Sequence, residues 1–563
     1  MRRLIRYGVI VAAGVIAAGC TAGSQSTSSS GSGNGNGNGG GKATGNSTLT
    51  ISNESGQLWS CGFNPLNPSD AQLSVGFIYE PLVYVNPLQQ GKTTPMLASS
   101  YQWSNGNKTL AFTIRSGVKW SDGQPMTAND VAYTFNLTKK NSALDLTGAW
   151  SALSSVTASG NTVTMNFKNV AVPYFYYIAD QTPIVPEHVF SKIANPVTDP
   201  VKAPVGTGPY TMSKCTPQNI TYKANPNYWQ PGLPKAKTLQ YPAYTSNNTA
   251  NDDLANGSAQ WGGQYIPGIQ AFYVAKSPNY HYWFPPTVNV TLIPNLTDPQ
   301  LKNVKVRQAI SYAINRKQVS DTGESGYEPP ANQSGIVTPT FSSSLDQSAL
   351  SAWGNGYDPA KAKSLLAQAG YHMSGGVMTN GAGQRLSFTV NNIGDYSDWV
   401  ASMQVIQQNL AAVGIKLNPH NLSNPDHVND LNFGKFQLAF YDQQTFGPSA
   451  YYELNNWLNS ANTAPIGKQA ATNYERYSNP KTDQLLNQYE TTTSAATQQD
   501  ILNQLQQVML NDVPVIPVIE AVDWYQYDTG TFSGWPTPGN PYAQPSPYAY
   551  PDNEQVLLRL APR

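Results

Sequence analysis

The chain is 563 residues long, and its 33 basic and 33 acidic residues leave a formal net charge of +0. Only 12% of its residues are charged, against about 25% in an average globular chain. This balance gives no electrostatic case for binding nucleic acid or an anionic membrane surface. Asn, Gln, Ser and Thr fill many polar positions instead, a composition that suits an acidic exterior, where carboxylates become protonated.

The first residues have the composition of a bacterial lipoprotein signal. Three arginines precede an apolar run at 9–19 that is too short to span a bilayer, and the run ends at Cys20. We therefore expect a signal peptide at 1–19 and a lipid on Cys20, at the outer face of the cell membrane. An ordinary secretory signal cleaved near Ala18 is the alternative, and both interpretations predict export.

Residues 20–47 are dominated by Gly, Ser and Asn and contain nothing that could nucleate a core. We expect a flexible tether that holds the following domain roughly 30 Å from its anchor. No later segment has a long uncharged apolar run, so no transmembrane helix is predicted.

The first third of the remaining chain is rich in β-forming residues. Strands are predicted at 48–51, 110–114 and 162–167. Between them, residues 127–135 have a capping-box start followed by the apolar face of a helix. This section is expected to be α+β.

From residue 296 the pattern changes to helices separated by short strands. Apolar residues recur at helical spacing over 306–314. A strand at 386–390, a helix at 400–413 and a strand from 415 follow one another at the spacing of a βαβ unit.

A β-rich section returns near residue 513, and the aromatic, proline-rich stretch at 534–542 cannot form long regular structure. A chain that starts β-rich, becomes α/β and then returns suggests two lobes joined by two crossings. Two crossings make a hinge.

The sequence lacks the motifs of the common enzyme classes, namely HExxH, GxSxG and GxxxxGK[ST]. The five histidines are scattered, and no Cys or His group has zinc spacing. His188 follows Glu187 and is interpreted as a residue near a helix start. No catalytic residue, metal or cofactor is predicted. A secreted glycoside or peptide hydrolase stays as an alternative, although the sequence shows neither a carboxylate pair nor a nucleophile with its base.

The cysteines that remain after Cys20 are Cys61 and Cys215. Exported proteins can oxidise such a pair, but the sequence cannot place the two Cα atoms within bonding distance. The disulfide is therefore left open.

Aromatic residues are abundant, with 12 tryptophans and 33 tyrosines. Trp and Tyr rings have a flat apolar face and a polar edge, which suits them to peptide side chains or sugar rings. We expect some of them to line a cleft.

Several motifs of one family occur together and in order. They lie at 78–83, 95–98, 114–131, 206–210, 225–229 and 306–316. In these motifs the chain resembles the extracellular solute-binding proteins of ABC importers, of the peptide, nickel and oligosaccharide class (family 5). The resemblance covers nearly everything after the tether.

The resemblance implies an α/β, two-lobed periplasmic-binding-protein-like fold with an extra α+β subdomain in the first lobe. The expected division is a first lobe at 48–295, a second lobe at 296–517 and a return to the first lobe at 518–563, with crossings near 294–296 and 517–519. It also implies a protein that catalyses no reaction, captures a ligand between its lobes and delivers it to an ABC permease in the membrane. The absence of later apolar segments predicts a monomer.

The class of ligand stays open between oligopeptide and oligosaccharide. Peptide-binding members hold the ligand's α-ammonium with an acidic side chain shortly before a proline of the second lobe. In the corresponding stretch at 440–449, Gln444 stands where the acid is expected, and Asp442 lies two residues earlier. An amide cannot pair with an ammonium as a carboxylate does, so the oligosaccharide is kept as the alternative ligand.

With a sugar, neutral side chains would bond hydroxyl groups while tryptophans stack on ring faces. The candidate ligand-binding residues for the two ligand classes together are Trp261, Trp399, Trp457, Asp442, Gln444, Asn247, Asn248 and Gln264.

Overall fold

The computed structural model describes residues 47–53, 58–354, 356–394, 396–442 and 447–563. They belong to one compact unit. The expected signal peptide, Cys20 and all of the tether except Ser47 lie outside the described residues. Within the described part of the chain, no helix has the length and apolar character needed to cross a membrane.

The strands, in chain order, are β1 (Thr48–Ser52), β2 (Val83–Asn86), β3 (Lys92–Pro95), β4 (Ala98–Ser104), β5 (Thr109–Ile114), β6 (Leu153–Ser159), β7 (Thr162–Phe167), β8 (Tyr210–Thr216), β9 (Asn219–Ala224), β10 (Thr238–Pro242), β11 (Trp261–Gly262), β12 (Tyr280–Tyr282), β13 (Pro286–Pro294), β14 (Tyr371–Ser374), β15 (Val377–Asn380), β16 (Ser387–Ile393), β17 (Lys416–Leu422), β18 (Leu438–Asp442), β19 (Ile516–Val522), β20 (Gln526–Asp528), β21 (Phe532–Ser533) and β22 (Ala561–Pro562).

The α-helices are α1 (Pro68–Ala71), α2 (Ala128–Lys140), α3 (Ala149–Ala152), α4 (Tyr174–Ala179), α5 (Glu187–Phe190), α6 (Asn247–Ala255), α7 (Ile269–Phe272), α8 (Val304–Ala313), α9 (Arg316–Gln318), α10 (Gln347–Trp353), α11 (Pro359–Gln368), α12 (Ser397–Ala412), α13 (Asn424–Phe433), α14 (Tyr451–Leu458), α15 (Pro480–Thr491), α16 (Ala495–Asn511) and α17 (Asp552–Arg559).

A seven-stranded sheet in the order β12-β20-β11-β1-β10-β9-β8 carries one core. Its central strand β1 runs parallel to β10 and β11 and buries Leu49 and Ile51 completely. Helix α17 packs into the same core, where Val556 and Leu557 are fully buried. The hydroxyl of Tyr84 donates to a carboxylate oxygen of Asp552 on this helix at 2.6 Å.

A separate four-stranded antiparallel sheet, β4-β5-β7-β6, forms the expected α+β subdomain. Residues alternate between core and surface along β5 and β7, and the buried face packs on α2. Helix α2 begins with the predicted capping box between Thr127 and Asp130, which satisfies backbone donors at the helix start.

A five-stranded sheet in the order β17-β16-β18-β13-β19 carries the other large core. Strands β16 and β17 pair in parallel and are joined by α12, so the predicted βαβ unit is confirmed. Arg316 is buried beside this sheet, and its Nε–H donates to the carbonyl of Pro517 at 2.7 Å. This arginine therefore fixes packing within the core.

The chain passes between the two large sheets twice. Strand β12 belongs to the seven-stranded sheet and β13 to the five-stranded sheet, while β19 and β20 repeat the change in reverse. We therefore propose crossings at 283–285 and 523–525, and not at 294–296 and 517–519. Pro294 ends β13, which pairs on both sides inside the second lobe. Hereafter the first lobe means residues 47–285 and 523–563, and the second lobe means 286–522.

The first lobe contains a disulfide between Cys61 and Cys215, with the two Cα atoms 5.9 Å apart. It links the loop before α1 to strand β8. The pairing that the sequence left open is thus present in the fold.

The motif at 206–210 brings two strips of backbone into close contact. A Cβ atom on Gly206 would lie 1.9 Å from the carbonyl oxygen of Ile78, and the N–H of Gly208 donates to that same oxygen at 2.8 Å. Because backbone cannot move away as a side chain can, any side chain at residue 206 overlaps it.

We expect Gly206→Ala to lower the free energy of unfolding by about 3 kcal/mol, since it forces overpacking of the first-lobe core. Urea denaturation measures the effect. The matched control is Gly539→Ala, where a Cβ atom meets nothing within 4 Å and the change should stay within about 0.5 kcal/mol. Equal stability of the two variants would contradict the prediction.

Candidate functional site

The lobes touch each other through α4 and α14. The hydroxyl of Tyr452 donates to the carbonyl of Pro173 at 2.8 Å. Its ring lies 5.5 Å from the ring of Tyr176 and 5.6 Å from that of Tyr177, in edge-to-face geometry. Three tyrosines thus line one edge of the space between the lobes.

The lobes also touch at a second place. The hydroxyls of Tyr265 and Ser325 lie 3.0 Å apart, and the N–H of Ile269 donates to the hydroxyl of Tyr327 at 3.1 Å. Hereafter the cleft means the boundary between the two lobes, from this contact to the Tyr452 contact.

An aromatic cluster, consisting of Tyr265, Phe284, Tyr327 and Trp524, occupies the end of the cleft at the crossings. The rings of Phe284 and Trp524 are 4.7 Å apart, and those of Tyr265 and Trp524 are 5.4 Å apart. All four side chains are only partly buried, so the cluster offers apolar surface to a ligand.

A carboxyl cluster, consisting of Glu324, Glu328, Asp398 and Asp442, lies on the second lobe beside these rings. Burial is the main cause that raises the pKa of Glu324 to about 8, and the charge of Asp398 adds to it. Burial likewise raises the pKa of Glu328 well above its usual range, with further increases from the three other carboxyls. The four groups are therefore close enough to oppose one another's ionisation.

The carboxyl cluster faces the first lobe. Burial raises the pKa of Tyr265, and nearby Tyr327, Asp398 and Glu324 raise it further, which places two carboxyls of one lobe near a hydroxyl of the other. The loop that carries Glu328 follows β19 to the crossing, because the N–H of Glu520 donates to the carbonyl of Pro329 at 2.7 Å.

No basic side chain pairs with Glu324, Glu328 or Asp398 among the described residues. The ion pairs found there are Lys317 with Asp321 and His188 with Asp122, both at the surface. His188 lies in the short helix α5. In the described part of the cleft wall, these three carboxyls thus have no ion-pair partner.

A cavity of about 240 Å³ opens beside Tyr176 and Tyr177 in the first lobe. We call it the first-lobe cavity. Tyr550 also lines it, and Tyr548 in the same segment accepts a hydrogen bond from the N–H of Trp524 at 3.3 Å. The segment 548–550 therefore connects the aromatic cluster with the first-lobe cavity.

Three of the candidate residues lie inside the protein. Trp261 is fully buried and its indole N–H donates to the carbonyl of Pro545 at 2.8 Å. Trp457 is also fully buried. Gln264 is buried, and its amide donates to Ser52 at 3.1 Å. The structure thus encloses all three side chains in the protein interior, and their contact with a ligand stays a prediction.

The other candidates are scattered. Trp399 adjoins the carboxyl cluster but is only 5% exposed and packs on Phe440, with ring centroids 5.3 Å apart. Asn247 begins α6 and is partly buried, and Asn248 is exposed on the same helix. Asp442 alone belongs to the carboxyl cluster. Gln444 lies outside the described residues.

The sequence-based reasoning missed Glu324, Glu328, Tyr265 and Trp524. A weak signal existed, since Glu324 and Glu328 flank a Ser-Gly-Tyr turn in which Gly326 has a φ of +74°. Such a loop projects acidic side chains from a tight turn. Nothing in the sequence connects that turn with Tyr265 of the other lobe.

Residues 92–465 match the family described as "Bacterial extracellular solute-binding proteins, family 5 Middle". Among curated relatives, the glutathione-binding protein GsiB of Shigella flexneri serotype 5b is 27% identical over 475 residues, which span 81% of this chain and 87% of that protein.

Solved structures give the same result. An oligopeptide ABC transporter, periplasmic oligopeptide-binding protein from Thermotoga maritima is 26% identical, with a TM-score of 0.85 over 92% of this chain and 99% of that one. A mannohexaose-bound structure of the T. maritima protein is 25% identical, with a TM-score of 0.79 over the same shares.

The oligopeptide-binding protein AppA of Bacillus subtilis, in complex with a nonapeptide, has a TM-score of 0.71 at 19% identity over 92% of this chain and 99% of that one, and this likeness shows the fold alone. The family match covers most of the chain, and its fold agrees with the two-sheet architecture described above. The chain therefore belongs to the family 5 bacterial extracellular solute-binding proteins, the non-enzymatic binding components of ABC importers.

Proposed function

We propose that this protein captures oligopeptides in the cleft, with the peptide's ammonium group against the carboxyl cluster. The observation that carries the proposal is a set of carboxyls, the buried Glu324 and Glu328 and the partly buried Asp398, without a basic partner in the described part of the chain. A ligand cation would lower the pKa of these carboxyls and pair with them once they ionise, because charge-assisted hydrogen bonds to carboxylates are stronger than neutral ones.

Closure of the lobes around the peptide would present the filled protein to an ABC permease. Binding energy would favour the closed state by as much as the ligand prefers that state. The lipid on Cys20 and the tether would keep the domain, as a monomer, at the outer face of the cell membrane.

An oligosaccharide is the second candidate ligand. The aromatic cluster favours it, since partly buried rings such as Tyr265 and Trp524 can stack on sugar faces. The relative in T. maritima was crystallised with mannohexaose, which supports the same alternative.

Proton release separates the two ligands. At pH 7 the Glu324 carboxyl, with its pKa near 8, holds its proton in the empty cleft. A peptide ammonium lowers that pKa and expels the proton, whereas a neutral sugar does not.

Calorimetry of peptide binding in two buffers of different ionisation enthalpy should therefore show proton release at pH 7. An N-acetylated peptide is the control and should release none. A binding heat on titration with mannohexaose but not with the peptide, and without proton release, would overturn peptide capture.

Asp442→Asn tests the charge directly. We expect it to weaken peptide binding by about 2–5 kcal/mol, because a buried charge pair loses one partner. Calorimetric titration measures the loss, and the melting temperature of the variant checks its folding. The matched control is Asp321→Asn, which removes an exposed carboxylate paired with Lys317. If both variants bind peptide as the parent does, the carboxyl cluster does not hold the ammonium.

A further inference from the structure

We propose that the first-lobe cavity is a subsite for one large apolar side chain of the captured peptide, preferably an aromatic one. This inference rests on the proposed peptide capture and adds to it the class of side chain that the protein selects.

The floor of the cavity is apolar and rigid. It is formed by buried side chains of α1, α2, α4 and the loops next to them, namely Leu66, Ala71, Val75, Phe135, Leu144 and Tyr176. Apolar surface of this kind gains free energy when it is covered by an apolar group and loses none to polar desolvation.

Several polar groups of the cavity wall already have partners. The hydroxyl of Thr138 donates to the carbonyl of Phe135 at 2.9 Å, and that of Thr182 donates to the carbonyl of Tyr177 at 2.8 Å. Because these donors are satisfied, they do not call for a polar ligand group.

Two further polar wall groups are also engaged. The carboxylate of Asp145 accepts the N–H groups of Ala149 and Trp150, both at 3.0 Å. The amide of Gln181 donates to Asp180 at 2.7 Å. Asp145 thus caps the start of α3, and both of its carboxylate oxygens are already bonded within the protein. It is therefore not available to pair with a basic side chain of a ligand.

The volume fits an aromatic side chain. An apolar cavity of about 150 Å³ holds a benzene molecule in another protein, so about 240 Å³ accommodates a phenyl or indole group. A methyl group would leave most of the space empty and would gain less from burial.

The cavity lies beside a contact between the lobes, because Tyr177 lines it. We call its more exposed lining residues, among them Leu146, at 47% exposure, and Tyr177, the mouth of the cavity. The ring of Tyr452 from the second lobe stands 5.6 Å from that of Tyr177. A side chain in the cavity is therefore enclosed when the second lobe lies against the first.

The test is a calorimetric comparison of trialanine with the three tripeptides in which Phe replaces one alanine, alongside matching Lys and Glu series. We expect one Phe peptide to bind at least about tenfold more tightly than trialanine. The Lys and Glu peptides should show no such gain at that position.

Ala71→Leu fills the floor of the cavity and should abolish the preference for Phe over Ala, so that the two affinities become about equal. The affinity for trialanine should change less than about twofold. Leu146→Trp, at an exposed position of the mouth, should have the same effect without touching the core, so the test does not depend on one variant folding. The matched control is Ala143→Leu, an exposed alanine that does not line the cavity, and it should keep the preference.

Equal affinities across the panel, or a Phe preference unchanged in both variants, would overturn the subsite and leave peptide capture standing. A preference for Lys at the selected position would also overturn it. If no peptide binds to the parent protein, peptide capture fails and the subsite fails with it.

Discussion

Raising the pH from 5 to 8 is expected to lower the free energy of unfolding by on the order of 5 kcal/mol. The cause is a set of buried carboxyls. Burial raises the pKa of Glu453 and Glu520 to about 8, that of Asp552 to about 7 and that of Asp523 to about 6. Each is protonated in the fold at pH values where the unfolded chain has lost its proton.

The sign of the effect follows from proton counts. Between about pH 4 and the raised pKa values, the folded state binds more protons than the unfolded state, so stability falls as pH rises. The contribution is complete below the unfolded pKa near 4 and is lost by about pH 8. His427 acts in the opposite direction, because burial lowers its pKa to about 4, but it is a single group.

Urea midpoints at pH 5, 6, 7 and 8 measure the slope. Glu520→Gln is an isosteric copy of the protonated acid, since one carboxyl oxygen accepts from Thr338 at 2.9 Å and the other has no partner. This variant should lose less stability than the parent between pH 5 and 8. The control is Asp500→Asn, at an exposed position of α16, which should keep the parent's slope. A parent whose stability is flat or rises over this range would refute the prediction.

Removing the disulfide is the other large effect that we expect. Replacing Cys61 and Cys215 by serine together should cost about 5 kcal/mol, because the bond closes a loop of 154 residues and so restricts the unfolded chain. The melting temperature should fall accordingly.

Reductant provides the control for this variant. Dithiothreitol should lower the melting temperature of the parent toward that of the double variant and leave the double variant unchanged. Equal melting temperatures of the oxidised parent and the double variant would show that the bond adds no stability.

The sequence predicts the elements whose signals are local. Thr127 and Asp130 identify the start of α2 because a capping box needs only four consecutive residues. The apolar repeat over 400–413, bounded by strands, predicts the βαβ unit for the same reason. The crossings that we propose differ from the expected ones because Pro294 is a turn signal at either end of a strand.

The site could not be predicted in the same way. Trp261 and Trp524 both lie among aromatic and polar residues in the sequence. Trp261 is nevertheless buried with its indole N–H bonded to the carbonyl of Pro545, whereas Trp524 packs on Tyr265 beside the cleft. Only the tertiary packing decides which ring keeps an exposed face. The carboxyl cluster likewise joins Glu324, Asp398 and Asp442 from distant segments of the second lobe.

The low content of charged residues was interpreted as an adaptation to acid. The buried carboxyls agree with that interpretation, because their protonation stabilises the fold below neutral pH. Amides on the surface and neutral acids in the core would act together in an acidic exterior.

The position of α17 in the first-lobe core has a consequence for how the protein is made. The second lobe is one continuous stretch, 286–522, so all of its strands have emerged before 523–563 follow. The seven-stranded sheet, by contrast, has β1 at its centre yet takes part of its core from Val556 and Leu557. During translocation the first lobe must therefore expose apolar surface until nearly the whole chain has crossed the membrane. We expect extracytoplasmic chaperones to bind the first lobe in preference to the second, because exposed apolar surface is what they bind.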